Sequence, residues 1–235
     1  VSEPISIDIW SDIACPWCYI GKRNLEAGLA ATQDDGEDAP QVTITYHSFE
    51  LSPDTPVDFH GDEIDFLAGH KGMPREQVVE MLDRVTGVAK DAGLGYRFDL
   101  LQHTNTVKAH ELLHFAKSQG RQHEMTERLM SAYFVEGKHV GRIEDLVELA
   151  TEVGLDADEA RAALESERHL ADVRRDQAQA QAYGIQGVPF FVIDGQYGIS
   201  GAQPPQAFEN VLRDLWSQRG AETAEAKTAE TATGE

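Results

Sequence analysis

The chain has only two cysteines in 235 residues, and they lie three positions apart. No long-range disulfide framework can therefore exist, which excludes a small secreted scaffold held together by disulfides. A chain of this length buries a core without such staples. Basic residues are also scarce: 20 Lys and Arg against 41 Asp and Glu give a formal charge of −21. That balance opposes phosphate backbones and anionic lipid surfaces, so neither nucleic acid nor membrane is an expected partner. No segment approaches the ~18 consecutive apolar residues of a membrane helix. The opening Val1-Ser2-Glu3-Pro4 has no basic region followed by an apolar core, and a cytoplasmic location is the expectation. Internal repeats and phosphate-cradling glycine loops are missing as well. What remains is a globular body in which the cysteines stand for redox chemistry or metal ligation.

Ile5, Ile7 and Ile9 alternate with Ser6 and Asp8, the period of a strand with one buried face. A helix is predicted from Cys15 to Thr32, with Pro16 in the first turn, where proline is tolerated, and Ile20, Leu25 and Leu29 along it. The acidic run Asp34-Asp35-Gly36-Glu37-Asp38 ends it, and Val42, Ile44 and Tyr46 mark a second strand. A β-α-β unit of this kind has parallel strands and a right-handed crossover. From Asp54 to Ala182 the pattern is helix after helix, with one apolar stripe through Val78, Met81, Leu82, Val85 and Val88 after Pro74, which is expected in the first turn. Further stripes run through Ala109, Leu112, Leu113 and Ala116, through Met125, Leu129, Ala132 and Tyr133, and through Ile143, Leu146, Val147 and Ala150. Less regular helices are expected near Asp158 to Glu167 and Leu170 to Tyr183.

Strand signals return at Val188 to Ile193; Asp194-Gly195 offers a two-residue hairpin turn into Tyr197-Gly198-Ile199. A last amphipathic helix carries Phe208, Val211, Leu212 and Leu215, and the Ala, Thr, Glu and Gly composition of the end suggests disorder. The predicted class is α/β: a thioredoxin-like fold with a large inserted all-helical domain. Its halves are residues 1–53 and 183–219, the insertion is 54–182 and the disordered tail 220–235.

The sequence Cys15-Pro16-Trp17-Cys18 carries the chemistry. A cysteine at a helix start faces unpaired amides and the positive end of the dipole, which stabilise thiolate over thiol. Cys15 is then the nucleophile, and Cys18, nearly one turn on, attacks the mixed disulfide formed at Cys15. Trp17 either packs or contacts substrate. A zinc site would need a second cysteine pair or nearby histidine ligands, and no second pair exists. Val188-Pro189 places a proline at the mouth of an apolar strand, where an X-Pro bond permits a cis peptide. In thioredoxin-like folds such a proline lies against the dithiol; Val188 would then offer backbone hydrogen bonds to an extended substrate.

These residues resemble the DsbA-like oxidoreductases, and among them the FrnE-like branch. The resemblance is carried by Asp12-Ile13-Ala14-Cys15-Pro16-Trp17-Cys18 with Gly21, by Asn105-Thr106 with Ala109-His110, and by Gly184-Ile185-Gln186-Gly187-Val188-Pro189-Phe190-Phe191. It implies Cys15 as attacking and Cys18 as resolving thiol, Pro189 in cis, and Asn105, Thr106 and His110 lining the groove over the dithiol. It also implies no metal or organic cofactor beyond the Cys15-Cys18 disulfide, with glutathione as a possible co-substrate. Substrates would be thiol or disulfide proteins or small molecules, handled by a monomer or homodimer. The Pro16-Trp17 pair lacks the histidine of strongly oxidising periplasmic members, which favours reduction or isomerisation. A related branch resembles glutathione-dependent hydroxychromene-carboxylate isomerases and kappa-type transferases, where serine usually stands at the position of Cys15.

One motif competes. His110-Glu111-Leu112-Leu113-His114 fits H-E-x-x-H, in which two imidazoles hold zinc and the glutamate activates water. A zinc hydrolase would need a third ligand, and Glu124 and Glu136 have no pattern to recommend them. His60, His70 and His139 sit among polar residues and are expected at the surface.

Overall fold

The structure, a computed structural model, describes residues 3–33, 36 and 39–232, with side chains up to residue 220. Strand β1 (Ile5–Ser11) leads into helix α1 (Pro16–Thr32) and strand β2 (Val42–Ser48). Seven helices follow: α2 (Glu63–Lys71), α3 (Arg75–Asp91), α4 (Val107–Ser118), α5 (Gln122–Ser131), α6 (Ile143–Glu152), α7 (Ala157–Glu165) and α8 (Leu170–Ala182). A π-helical turn, Ala132–Glu136, prolongs α5. Strands β3 (Phe190–Ile193) and β4 (Tyr197–Ser200) and helix α9 (Pro205–Ala232) complete the chain.

The four strands form one sheet in the order β2-β1-β3-β4. β1 and β2 are parallel, with Ile7 opposite Ile44, whereas β3 pairs antiparallel to β1, with Phe191 opposite Ile9. Ile5, Ile7, Ile9, Phe191 and Ile193 turn one face of the sheet toward Leu25 of α1 and Phe208 and Leu212 of α9. The alternation in β1 thus reports this face correctly, but the other face is covered too: Trp10 is 1% exposed and packs with Ala180 of α8 and Ile185. Its indole N–H donates to the carbonyl of Asp176 at 3.0 Å. A second, larger core is built by the helical block, with α4 packed against α5, α6, α7 and α8. Cys15, Cys18, Tyr19 and Ile20 belong to that helical core and not to the sheet core.

Several local expectations differ from the structure. Pro74 is the residue capping α3 and precedes its first turn, and Val88 on that helix is exposed while Ala89, one position on, is buried. Helix α2 was not anticipated, because its apolar residues Ile64, Phe66 and Leu67 are too clustered to show a helical period. The hairpin loop has three residues, Asp194 to Gln196, since Ile193 pairs with Tyr197; Asp194 and Gly195 both take positive φ, 57° and 66°. Helix α9 continues to Ala232, through most of the segment expected to be disordered, because Ala, Glu and Lys readily prolong a helix already nucleated. Residues 233–235, and Asp34, Asp35, Glu37 and Asp38 of the acidic run, lie outside the described residues.

Candidate active site: a dithiol at a helix start

Cys15 is the residue immediately before α1, with extended backbone (φ −93°, ψ 112°), and Pro16 fills the first helical position, where no amide donor is needed. The Cys15 amide donates to the Asp12 carbonyl at 3.2 Å, and the Cys18 amide closes the first turn onto the Cys15 carbonyl at 3.0 Å. The first turn of α1 carries no acidic side chain, so nothing on the helix itself offsets the positive end of its dipole. The hydroxyl of Tyr96 donates to the Pro16 carbonyl at 2.7 Å and pins that turn to the helical block.

Both cysteines are free thiols and nearly buried, at 4% and 3% exposure. They are not equivalent. Cys15 lines a cavity of about 360 Å³ together with Trp17, Phe66, Met81, Leu82 and Val85, whereas Cys18 does not reach it. Cys15 Sγ lies 3.5 Å from the Val188 carbonyl, across the cis Val188-Pro189 bond from β3. Burial, and then the neighbouring Cys15 sulfur, push the Cys18 thiol well above its ordinary pKa. Cys18 is therefore kept as a protonated thiol. A larger cavity, about 640 Å³, lies where Lys22 and Arg23 of α1 pair with Glu127 of α5, and it holds neither cysteine.

A buried carboxylate follows β1 three residues before Cys15. Asp12, 1% exposed, accepts from the Leu51 amide at 2.8 Å, and its Oδ1 lies 3.2 Å from Nε2 of His110. Burial pushes its carboxyl up, but the hydrogen bond and charge of His110, with bonds from Leu51 and Thr106, outweigh it and hold the pKa below the ordinary value.

With this geometry established, the similarity to known proteins becomes informative. Residues 6–213 match the family model of the DSBA-like thioredoxin domain. The chain belongs to the DsbA-like family. This DsbA-like protein is 33% identical over 216 residues to the uncharacterized protein YwbO of Bacillus subtilis, covering 89% of this chain and 96% of that one. A crystal structure of a probable DsbA oxidoreductase from Streptomyces coelicolor superposes with a TM-score of 0.82 at 39% identity, covering 91% of this chain and 90% of the other. The cytosolic disulfide reductase DsbM from Pseudomonas aeruginosa shares the fold at 19% identity, with a TM-score of 0.59 over 95% and 99% of the two chains.

Within this DsbA-like fold, Cys15, Pro16, Trp17, Thr106 and Val188 meet at the one cavity, and Trp17 is 41% exposed at its wall. Pro189 is buried behind Val188. Asn105 does not line the cavity: its amide donates to the Pro53 carbonyl at 2.9 Å and its oxygen accepts from the Val107 amide at 2.9 Å, so it fixes the start of α4. His110 does not line it either, because Nε2 is turned to Asp12 and the ring is 1% exposed. The H-E-x-x-H residues diverge: His114 Nε2 lies 3.0 Å from Asp176, and Glu111 pairs with Lys108 at 2.8 Å. His139, expected at the surface, is 5% exposed and accepts from the Gly141 amide at Nδ1, because the loop before α6 folds over it. Sequence reasoning missed Asp12 as a buried carboxylate, Tyr96 on the Pro16 carbonyl, and Phe66, Glu63 and His103 of the cavity wall. Only the capping box of α2, Asp62 with Asp65, offered a local signal for the helix that brings Glu63 and Phe66 there.

Proposed function

We propose that the chain is a thiol–disulfide oxidoreductase of the FrnE-like branch, exchanging disulfides through Cys15 and Cys18 in the reducing or isomerising direction. The observation that carries this reading is the inequality of the two sulfurs: one opens a helix in the wall of a cavity, and the other is sealed behind it with its pKa raised. The Cys15 thiolate attacks a substrate disulfide, releasing one half as a thiolate that takes up a proton. Cys18 then attacks the Cys15 sulfur of the mixed disulfide, loses its proton, and frees the second half. Two donor thiols then return the pair to the dithiol, the first opening the Cys15–Cys18 disulfide as a mixed disulfide at Cys15 and the second releasing it as the donor disulfide. Thiol or disulfide substrates, proteins or small molecules with glutathione as a co-substrate, and a cytoplasmic setting complete the reading. No metal or organic cofactor has a role in it.

Insulin reduction provides the test, with glutathione or dithiothreitol as electron donor. Wild type is expected to accelerate precipitation of the insulin chains, Cys15→Ser to lose the activity, and Cys18→Ser to accumulate a mixed disulfide with the substrate. Equal activity of Cys15→Ser and wild type would sink the reading. Conversion of a hydroxychromene carboxylate by the Cys15→Ser variant would favour the isomerase instead.

A further inference from the structure

His103 sits between α3 and α4 and is 6% exposed. Its Nδ1 lies 3.0 Å from Oε2 of Glu63, the first residue of α2, and the Tyr133 hydroxyl lies 3.3 Å from the same nitrogen. The Nδ1 edge of the ring is turned to the carboxylate and the hydroxyl, and Nε2 is the ring nitrogen left for a ligand. Phe66 lies flat against the imidazole, with ring centroids 3.4 Å apart, and Phe59 meets it edge-on at 5.5 Å. The ring is thus fixed by one charge and two aromatic contacts. Its Nε2 is nonetheless buried without a hydrogen-bond partner, a rare condition for a polar atom in a folded protein. Glu63, Phe66 and His103 all line the cavity that holds Cys15.

We propose that the Glu63–His103 pair reads the substrate of the dithiol. The cavity takes a low-molecular-weight disulfide with an apolar body and a hydroxyl or amide group that hydrogen-bonds His103 Nε2. This rests on the disulfide-exchange reading above and adds the substrate class to it. A space of about 360 Å³ suits a small molecule, and Trp17, Leu67, Met81, Leu82 and Val85 supply apolar walls. During exchange the Cys15 thiolate attacks one sulfur, the substrate S–S bond breaks, and the departing thiolate takes a proton from water. His103 moves no electrons. It is a specificity residue, and its effect belongs in binding.

The test is single-turnover oxidation of the pre-reduced protein by hydroxyethyl disulfide and by dipropyl disulfide, which replaces each hydroxyl with a methyl. Wild type is expected to half-saturate at about tenfold lower concentration of the hydroxylated compound. His103→Phe raises that concentration about tenfold while leaving dipropyl disulfide and both limiting rates unchanged. Glu63→Gln, which keeps the shape of the side chain but loses the charge facing Nδ1, moves the hydroxylated compound in the same direction by a smaller factor. It serves as the probe if His103→Phe does not fold. Equal half-saturation by the two compounds in wild type, or equal shifts of both in the variants, overturns the proposal and leaves the exchange reading standing. If wild type reacts with neither disulfide, this proposal falls, while insulin reduction decides the exchange reading separately.

Discussion

Gly21 and Pro189 are packed so closely that a methyl group on the glycine would come 3.0 Å from Cγ of the proline and 3.3 Å from the Phe191 ring. The contact joins the second turn of α1 to the segment that faces Cys15, so the depth of a single side chain sets the distance between the dithiol and the Val188 carbonyl.

Gly21→Ala is therefore expected to shift Pro189 by a few tenths of an ångström and to cost roughly 1 kcal/mol of stability, while insulin reduction falls several-fold. Urea unfolding and activity measured on the same preparation check this. Unchanged activity would show that the contact does not govern the site.

Gly28 performs a similar function away from the dithiol, where α1 crosses α9. A Cβ there would lie 2.7 Å from the Pro205 carbonyl oxygen and 2.9 Å from Phe208 Cβ, and neither backbone can yield cheaply. Gly28→Ala should destabilise by about 1–3 kcal/mol in chemical denaturation, with Cys15 reactivity retained in the folded fraction.

Asp12 holds the Leu51 amide and His110 at once. Removing one partner of a buried pair is expensive, so Asp12→Ala is expected to cost roughly 3 kcal/mol, and Asp12→Asn, which keeps an acceptor for Leu51, distinctly less. Urea midpoints in the reverse order would contradict the assignment.

His47 stacks on Trp10 with ring centroids 4.4 Å apart, and its two nitrogens lie 2.9 Å from Asp176 and 2.7 Å from Asp8. Burial lowers its pKa, but the bonds and charges of Asp176 and Asp8 prevail and raise it above the ordinary 6.5. The stabilisation is then fully present below 6.5 and lost as pH rises through the raised value. Asp176 goes the other way: burial raises it, and His114, His47 and the Ser48 amide hold it far below the ordinary 3.8. Its contribution is present above 3.8 and is lost as pH falls through the lowered value. The melting advantage of wild type over His47→Gln should shrink by about 2–4 °C between pH of roughly 6 and roughly 9. A constant difference across that range would exclude the coupling.

Much of this was legible in the sequence. The isoleucines of β1, the proline after Cys15 and the repeated helical stripes depend on local periods, and the strands and helices follow them closely. Val88 and His139 were misjudged because polarity of neighbours in sequence does not report which face a loop or a helix end turns inward. Asn105 and His110 lie away from the cavity lining for a related reason: membership of a motif places a residue near a site without fixing where its side chain points. Asp12 belongs to the same stretch as the dithiol, yet its partners, Leu51 and His110, are distant in the chain.

The sequence by itself determined the placement of two thiols three residues apart at a helix start, which depends only on short-range backbone geometry. It determined the order of elements for the same reason. Only the tertiary structure decided that Cys15 faces a cavity and Cys18 does not, that Asp12 is a buried anion, and that Glu63 orients His103. Those relations join segments 40 to about 170 residues apart, and packing of the helical block over the sheet, which leaves no trace in local periodicity, brings them together.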